Sequence, residues 1–523
     1  MPRPSLVIIT SLFLLLCCPN LTGQPMPGGV EKPIYWYQTI DNRLVEVYHQ
    51  GPSINGQSWT LKNGQRVLLR PEAHAPIPLP ESVKDELTIF TVYFPSPSNE
   101  TTVWSISSDD TTRQLLTTQR LANLQRGEYL DFTGAEVTGA SQLHEQNEII
   151  NRIQSPIGLL SSPVLRTVTR MGSDEEKELN TPIIPTRRIS ANTNYLHIAH
   201  HLSTLPLPST PSQAIAEIIV YDHMLSPKAR QQIESYLALK YGISINQTLP
   251  RHYLDNNGHP IWDANLHGSY NHRITGLGTA PISAWAQTTA ASYTNNGGLI
   301  NISLPTDRTT DQQYNYFTFS DNNLPTDLAD QSTDRPANHK TLLQRKWSAQ
   351  ATGFDHLRLN ISIDTRQLFA TLPAQHSWLL AIDSSGTGNF SPETTSYHPI
   401  SQLLSNSVAH WNNISWPGQQ HIHFTLATDW QPPAYAPANN DLFQKVILSP
   451  NPSTDGHFQL RVSLSNEYNL MVTAYDASGR AIWQQEGPRN THHQFDGYLP
   501  QAGVYHFQVQ AASQSTTVSL IVQ

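Results

Sequence analysis

The residues best suited to chemistry in this chain fall into a few short clusters, each pointing to a different reaction class. His144-Glu145-Gln146-Asn147-Glu148 has the first histidine and the glutamate of a zinc-peptidase helix. Glu148, however, stands where the second histidine ligand belongs, so a polar surface segment is the better reading. His197, His200 and His201 form the densest histidine group, but a metal needs further converging donors. In a chain with 22 histidines, chance clustering accounts for it. Asp109-Asp110 and Asp174-Glu175-Glu176 are the grouped carboxylates that glycoside hydrolysis would require. Adjacent residues on a strand point to opposite faces, so both groups read as solvated turns. Asp255-Asn256-Asn257-Gly258 offers oxygens to a calcium ion but lacks regular acidic spacing, and a hairpin turn explains it. Gly276-Leu277-Gly278 reads as a tight turn that needs no phosphate. There is no Gly-x-Ser-x-Gly nucleophile elbow. Trp36 and Trp59 could serve as stacking platforms for sugars, and both would also suit a core. No catalytic, cofactor-binding or metal-ligating residue is therefore assigned.

Composition sets the frame for these clusters. The 523 residues suggest about two to four domains. Only 14% of residues are charged and 38% are hydrophobic, a balance suited to β-sheets with Ser-, Thr-, Asn- and Gln-rich faces. The net charge of -9, with no basic run, argues against nucleic acid as a partner. Arg3, the apolar run Leu6 to Cys18 and the exit Leu21-Thr22-Gly23 have the form of a signal peptide, with cleavage expected after Gly23. The run is too short for a transmembrane span. A lipid anchor at Cys17 or Cys18 is the rival reading. Those are the only cysteines, so the mature chain is expected to have neither disulfides nor a thiol nucleophile.

The elements that must position any site read as strands. Residues 24–245 show strand signals such as Leu87 to Phe94 and the near-continuous apolar Ala214 to Tyr221, expected as a buried central strand. A helix over 226–241 follows, with Ser226 as cap, Pro227 at its first position and Gly242 at its end. Ala229, Ile233, Tyr236, Leu237 and Tyr241 give it one apolar face, with Lys228, Arg230, Gln231 and Glu234 mostly elsewhere. Residues 250–430 form a second β-rich region, with turns at Asn257-Gly258 and Asn296-Gly297-Gly298. Residues 431–442 read as a proline-rich linker. Residues 443–523 contain about seven short strands, which predicts a small Ig-like sandwich.

Ordered motifs in that last segment carry a resemblance. Leu448-Ser449-Pro450-Asn451-Pro452, Gly456-His457-Phe458, Tyr475-Asp476-Ala477-Ser478-Gly479-Arg480, Leu499-Pro500-Gln501-Ala502-Gly503-Val504-Tyr505 and Leu520-Ile521-Val522 follow one another in order. Together they resemble the type A C-terminal sorting domain of the type IX secretion system of Bacteroidota. The resemblance implies recognition by the outer-membrane translocon, cleavage by a sortase-like peptidase, and release or anchoring at the surface. Val518-Ser519 depart from it where many members carry a basic residue.

Upstream, Ala216 to Asp222, Leu225-Ser226-Pro227 and Ile233 to Ile243 resemble the end of LamG-type, concanavalin A-like jelly-roll sandwiches, and Pro27-Gly28-Gly29-Val30 matches their usual start. Tyr253-Leu254-Asp255, Ile261-Trp262-Asp263, Ile274 to Gly278 and Arg345-Lys346-Trp347 resemble the uncharacterised β-domain that trails such sandwiches. These likenesses imply a secreted, all-β, multidomain surface protein that binds a glycan or matrix ligand. A calcium ion on the sandwich rim is compatible with them, without ligands to name. A glycan hydrolase on the same fold and a structural spacer of the surface layer are the alternatives.

Overall fold

The computed structural model describes residues 24–72, 74–84, 86–94, 101–108, 111–120, 126–131, 151–153, 164–170, 194–199, 214–245, 247, 250–291, 299–305, 314–329, 340–354, 356–365, 368, 372, 376–404, 408–417, 421–430, 442–477, 481–499, 501–511 and 514–523. The leader 1–23, His144 to Glu148, Asp109-Asp110, Asp174 to Glu176, His200, His201, the Asn296-Gly297-Gly298 turn and the linker 431–441 lie outside these residues.

Within them the chain is all-β and multidomain. Its strands form six hydrogen-bonded sheets among the described residues. In the first body an eight-stranded sheet faces a five-stranded one. Ala214–Tyr221 lies inside the larger sheet, between Leu87–Phe94 on one side and Tyr35–Ile40 and Gln65–Pro71 on the other. Both Ala214–Tyr221 and Leu87–Phe94 are buried along their whole length. The reason is that each faces a core on both sides. Ile215, Ile218, Val220, Ile89 and Tyr93 pack toward Trp104, Ile106, Leu196 and Ile198 of the smaller sheet. Ile219, Tyr221, Phe90 and Val92 pack toward the helix.

That helix runs Pro227–Tyr241, with the Ser226 hydroxyl accepting from Ala229 N and Gly242 left-handed at φ 67°. Its environment differs from the one-faced amphipathic helix read from its apolar spacing. Arg230, Gln232, Glu234, Ser235 and Lys240 are also buried. Its core takes Trp36, Phe90 and Ile219 from one body and Tyr253, Trp262, Ile274 and Trp285 from the next, so polar side chains had to be satisfied inside. Glu217 shows how. Its carboxylate accepts from Trp36 Nε1 at 2.6 Å, Tyr241 OH at 2.8 Å, Tyr236 OH at 3.1 Å and Lys240 Nζ at 2.7 Å. Burial, and then the Glu217 charge, push both tyrosine phenols well above their ordinary value. Trp36 is therefore a core residue and no sugar platform, whereas Trp59 is 38% exposed.

The second body packs an eight-stranded sheet on a five-stranded one. Phe317, Trp347, Ile422 and Phe424 of the first meet Leu357, Ile361, Trp411 and Trp416 of the second, with Trp416 edge-on to Phe317 at 5.0 Å and to Phe424 at 5.5 Å. Gly276-Leu277-Gly278 is not the tight turn read from the sequence but lies inside the strand His272–Ala280. The neighbouring strand Asn315–Asp321 passes so close that a Cβ on Gly278 would stand 2.0 Å from the Asn315 carbonyl oxygen. Asp255 to Gly258 is the expected hairpin turn, closed by Asp255 Oδ1 accepting from Asn257 N and His259 N at 2.8 Å each.

The C-terminal module also departs from its prediction. Its five strands make one connected sheet, and two of them, His457–Tyr475 and Ala481–Tyr498, run for 19 and 18 residues. The strands are fewer and longer than the seven short ones expected, because the exposed polar stretch 465–469 stays in the ladder through register shifts between Ser463, Tyr468 and Leu470.

Candidate functional site

The motif residues of the C-terminal module come together around the strand Gln514–Val522. That strand lies at one edge of the sheet, pairing with Gly503–Ala511. An edge strand exposes unpaired N–H and C=O groups, a template for unwanted pairing. Here the Pro450-Asn451-Pro452 loop and Ser453 pair with those at the strand's end, from Ser519 to Gln523. Asn451 Nδ2 donates to Ser519 O at 2.7 Å, and Ile521 N donates to Asn451 Oδ1 at 3.1 Å. The carboxamide thus stands in for one peptide unit of a further strand. Real backbone continues the line, with Ser453 N donating to Ile521 O at 2.8 Å and Gln523 N to Ser453 O at 2.9 Å. A parallel bridge joins Ser453 to Val522. Prolines on either side leave Asn451 to do the bonding, since neither can donate from its backbone.

The other pieces brace this contact. Gly456 sits at φ 79°, and a Cβ there would lie 2.2 Å from Leu499 O. Leu499 N donates back to Gly456 O at 2.8 Å, tying the second motif piece to the fourth. Gly503, Val504 and Tyr505 pair with Val522, Ile521 and Leu520. Tyr505, Leu520 and Val522 point into a core built on Phe458, Leu460, Val472 and Phe507. The Tyr505 phenol donates to Gln501 O at 2.7 Å, and burial followed by the Asp476 charge raise its pKa. Val504 and Ile521, opposite one another, are instead 42% and 44% exposed on the outer face. Gly479 and Arg480 lie outside the described residues. Ser453 and Gln523 were not singled out from the sequence, and Ser519 only as part of the Val518-Ser519 departure from the motif. Ser519 and Gln523 enter the contact through main-chain atoms, which leave no mark in side-chain type.

A second convergence, also unmarked in the sequence reading, lies on the outer face of the larger sheet of the second body. His421 and His423 alternate along His421–Thr428 and register with Gln350 and Ser348. The Ser348 hydroxyl bridges His267 Nδ1 at 2.8 Å and His421 Nε2 at 2.7 Å. His267 lies flat on Trp262 at 4.9 Å, and the His421 ring is 4.7 Å from both His267 and His423. Burial, then the neighbouring imidazoles, lower His267 to about 3 and His423 to about 4. These are neutral rings at neutral pH. Ser348 is fully buried, so the set does not present a nucleophile to a substrate. Among the described residues no group of three or more His, Cys, Asp or Glu side chains is arranged to hold a metal ion. His197 is itself buried within the strand Asn194–Ile198.

Residues 229–420 match the family model described as "Domain of unknown function (DUF8202)", a match that begins inside the helix Pro227–Tyr241. None of the curated proteins compared matches the chain. Among solved structures the chain is similar to Trypanosoma rangeli sialidase in complex with sialic acid, at 11% identity and a TM-score of 0.25, over 42% of this chain and 34% of that one. Ruminococcus gnavus β-glucuronidase in complex with uronic isofagomine aligns at 10% identity and a TM-score of 0.13, over 32% and 35% of the two chains. Faecalibacterium prausnitzii β-glucuronidase aligns at 12% identity and a TM-score of 0.14, over 42% and 41%. The chain spans under half the length of each, and likeness at these scores carries no argument about activity.

Proposed function

We propose that residues 443–523 are an export address of the type IX secretion kind, and that the upstream body works at the cell surface as a glycan- or matrix-binding protein. In this reading the leader 1–23 delivers the chain to the periplasm. The outer-membrane translocon and a sortase-like peptidase are the partners of the module. One observation supports it best: motif pieces about seventy residues apart in sequence meet around Asn451 and Ile521, with bonds of 2.7 and 3.1 Å. A module whose motifs build a single edge can be read as a folded surface, and a set of separate turn signals could not. The exposed Val504–Ile521 pair is the apolar part of that surface. No described helix is long and apolar enough to cross a membrane.

The test is to express the full chain in two otherwise identical hosts, with and without a working type IX translocon. The proposal expects protease-accessible protein on intact cells, or protein in the medium, only in the first. Equal delivery from both hosts would refute it.

A further inference from the structure

The hairpin Ile54–Lys62 and Gln65–Pro71 carries an exposed row of side chains beside the core residue Leu68. Gln57, Trp59 and Leu61 alternate along its first strand, and all three are exposed. Arg66 stands opposite Leu61 in the register, with its guanidinium 5.0 Å from the centre of the Trp59 ring. Arg70 donates to Gln57 Oε1 at 3.2 Å, and its backbone is held left-handed at φ 50°, uncommon for a side chain of this size. An indole and two guanidinium groups thus lie together on one hairpin of a chain whose net charge is -9. Asp41 takes one edge of Arg66 at 3.0 Å, leaving the face positive.

The hairpin is also held firmly. At its tip the Asn63 carboxamide donates to Leu239 O at 3.0 Å and Lys240 O at 3.2 Å and accepts from Ala291 N at 2.7 Å. Gln65 Nε2 bonds Gln287 Oε1 at 3.2 Å. Anchoring the tip to the helix end and to the second body fixes the face as a rigid platform, so little order must be gained on binding.

We propose that this face binds an anionic polysaccharide, with Trp59 stacking on a sugar ring and Arg66 and Arg70 engaging its carboxylate or sulfate groups. The proposal rests on the glycan-binding reading of the body and names its site and ligand class. The positive charge of the face selects the anionic class over neutral sugars, and the planar guanidinium groups match the planar carboxylate and the sulfate oxygens.

The experiment is affinity electrophoresis and calorimetry of the full chain against polygalacturonate, chondroitin sulfate and neutral dextran. Binding of one or both polyanions, weakening with salt, and none of dextran is expected. The two polyanions distinguish a carboxylate ligand from a sulfate ligand. Trp59→Ala should weaken binding about tenfold or more, with Trp59→Tyr retaining most of it. Arg70→Gln should weaken it and flatten its salt dependence. All three substitutions are at exposed positions, and unchanged thermal unfolding confirms that the fold is intact. Polyanion binding that survives within twofold in every variant overturns the site while leaving a glycan-binding body standing. Equal binding of dextran overturns the ligand class. Binding of no polysaccharide overturns both this site and the reading it rests on.

Discussion

Asn451 does with a side chain what a strand does with its backbone, and this explains why an asparagine stands between two prolines. Asn451→Asp keeps the acceptor for Ile521 N but replaces the donor to Ser519 O with a repelling oxygen. The expected cost is about 1 kcal/mol, as for a partly exposed hydrogen bond. It should show as faster amide exchange at Ile521 and Gln523, with the interior strand 457–475 unchanged. Unaltered exchange at those two amides would remove Asn451 from its role. At this scale the sequence shows identities but not meetings. The order of Pro450, Gly456, Gly503 and Ile521 marks the module, yet nothing in residue type shows that Asn451 would reach Ser519 and Ile521. The same holds for Glu217, which sits in an apolar run as one acid among isoleucines until Trp36, Tyr236, Lys240 and Tyr241 close on it.

Elements were easiest to read where one physical signal dominated. Ser226, Pro227 and Gly242 bound the helix because capping chemistry is local. The helix's surroundings were not readable, because burial from two bodies at once is a long-range fact. Strand breaks failed for a related reason, since the polar stretch 465–469 resembles a loop but is carried by its partner strand. The short helix Ala264–His267 offers a test at this scale. It presents His267 to the sheet beside His421 and His423. Burial lowers His267 and His423 from 6.5 to about 3 and about 4, so their unfolded forms bind protons that the folded forms refuse. Stability from these rings is full above about pH 6.5 and is lost as the pH falls toward 4, by about 1.4 kcal/mol per unit for each. His223 runs the other way: burial would lower it, but hydrogen bonds to Asp222 and Glu31 win and raise it. Depressed carboxylates such as Asp321 and Asp383 lose their contribution mainly near and below the ordinary 3.8. Urea unfolding between pH 7 and 4.5 should therefore show falling stability on acidification, reduced in His423→Gln. A flat profile would contradict the burial of these rings as neutral groups.

At the scale of the whole molecule, the all-β class followed from composition and strand alternation, and the structure bears it out. The candidate site followed from motif order rather than from side-chain chemistry. Ser348 is buried among its histidines, and Glu217 is closed off beneath the helix. The proposed address rests instead on a module whose motifs build one surface. The claim on which this account turns is that the module is the address. Its most direct measurement compares the full chain with a chain lacking residues 443–523 in a host with a working type IX translocon, by protease accessibility on intact cells. The account predicts that the shortened body is folded and retained in the periplasm, protected until the outer membrane is opened. Surface exposure of the shortened chain equal to that of the full one would contradict it.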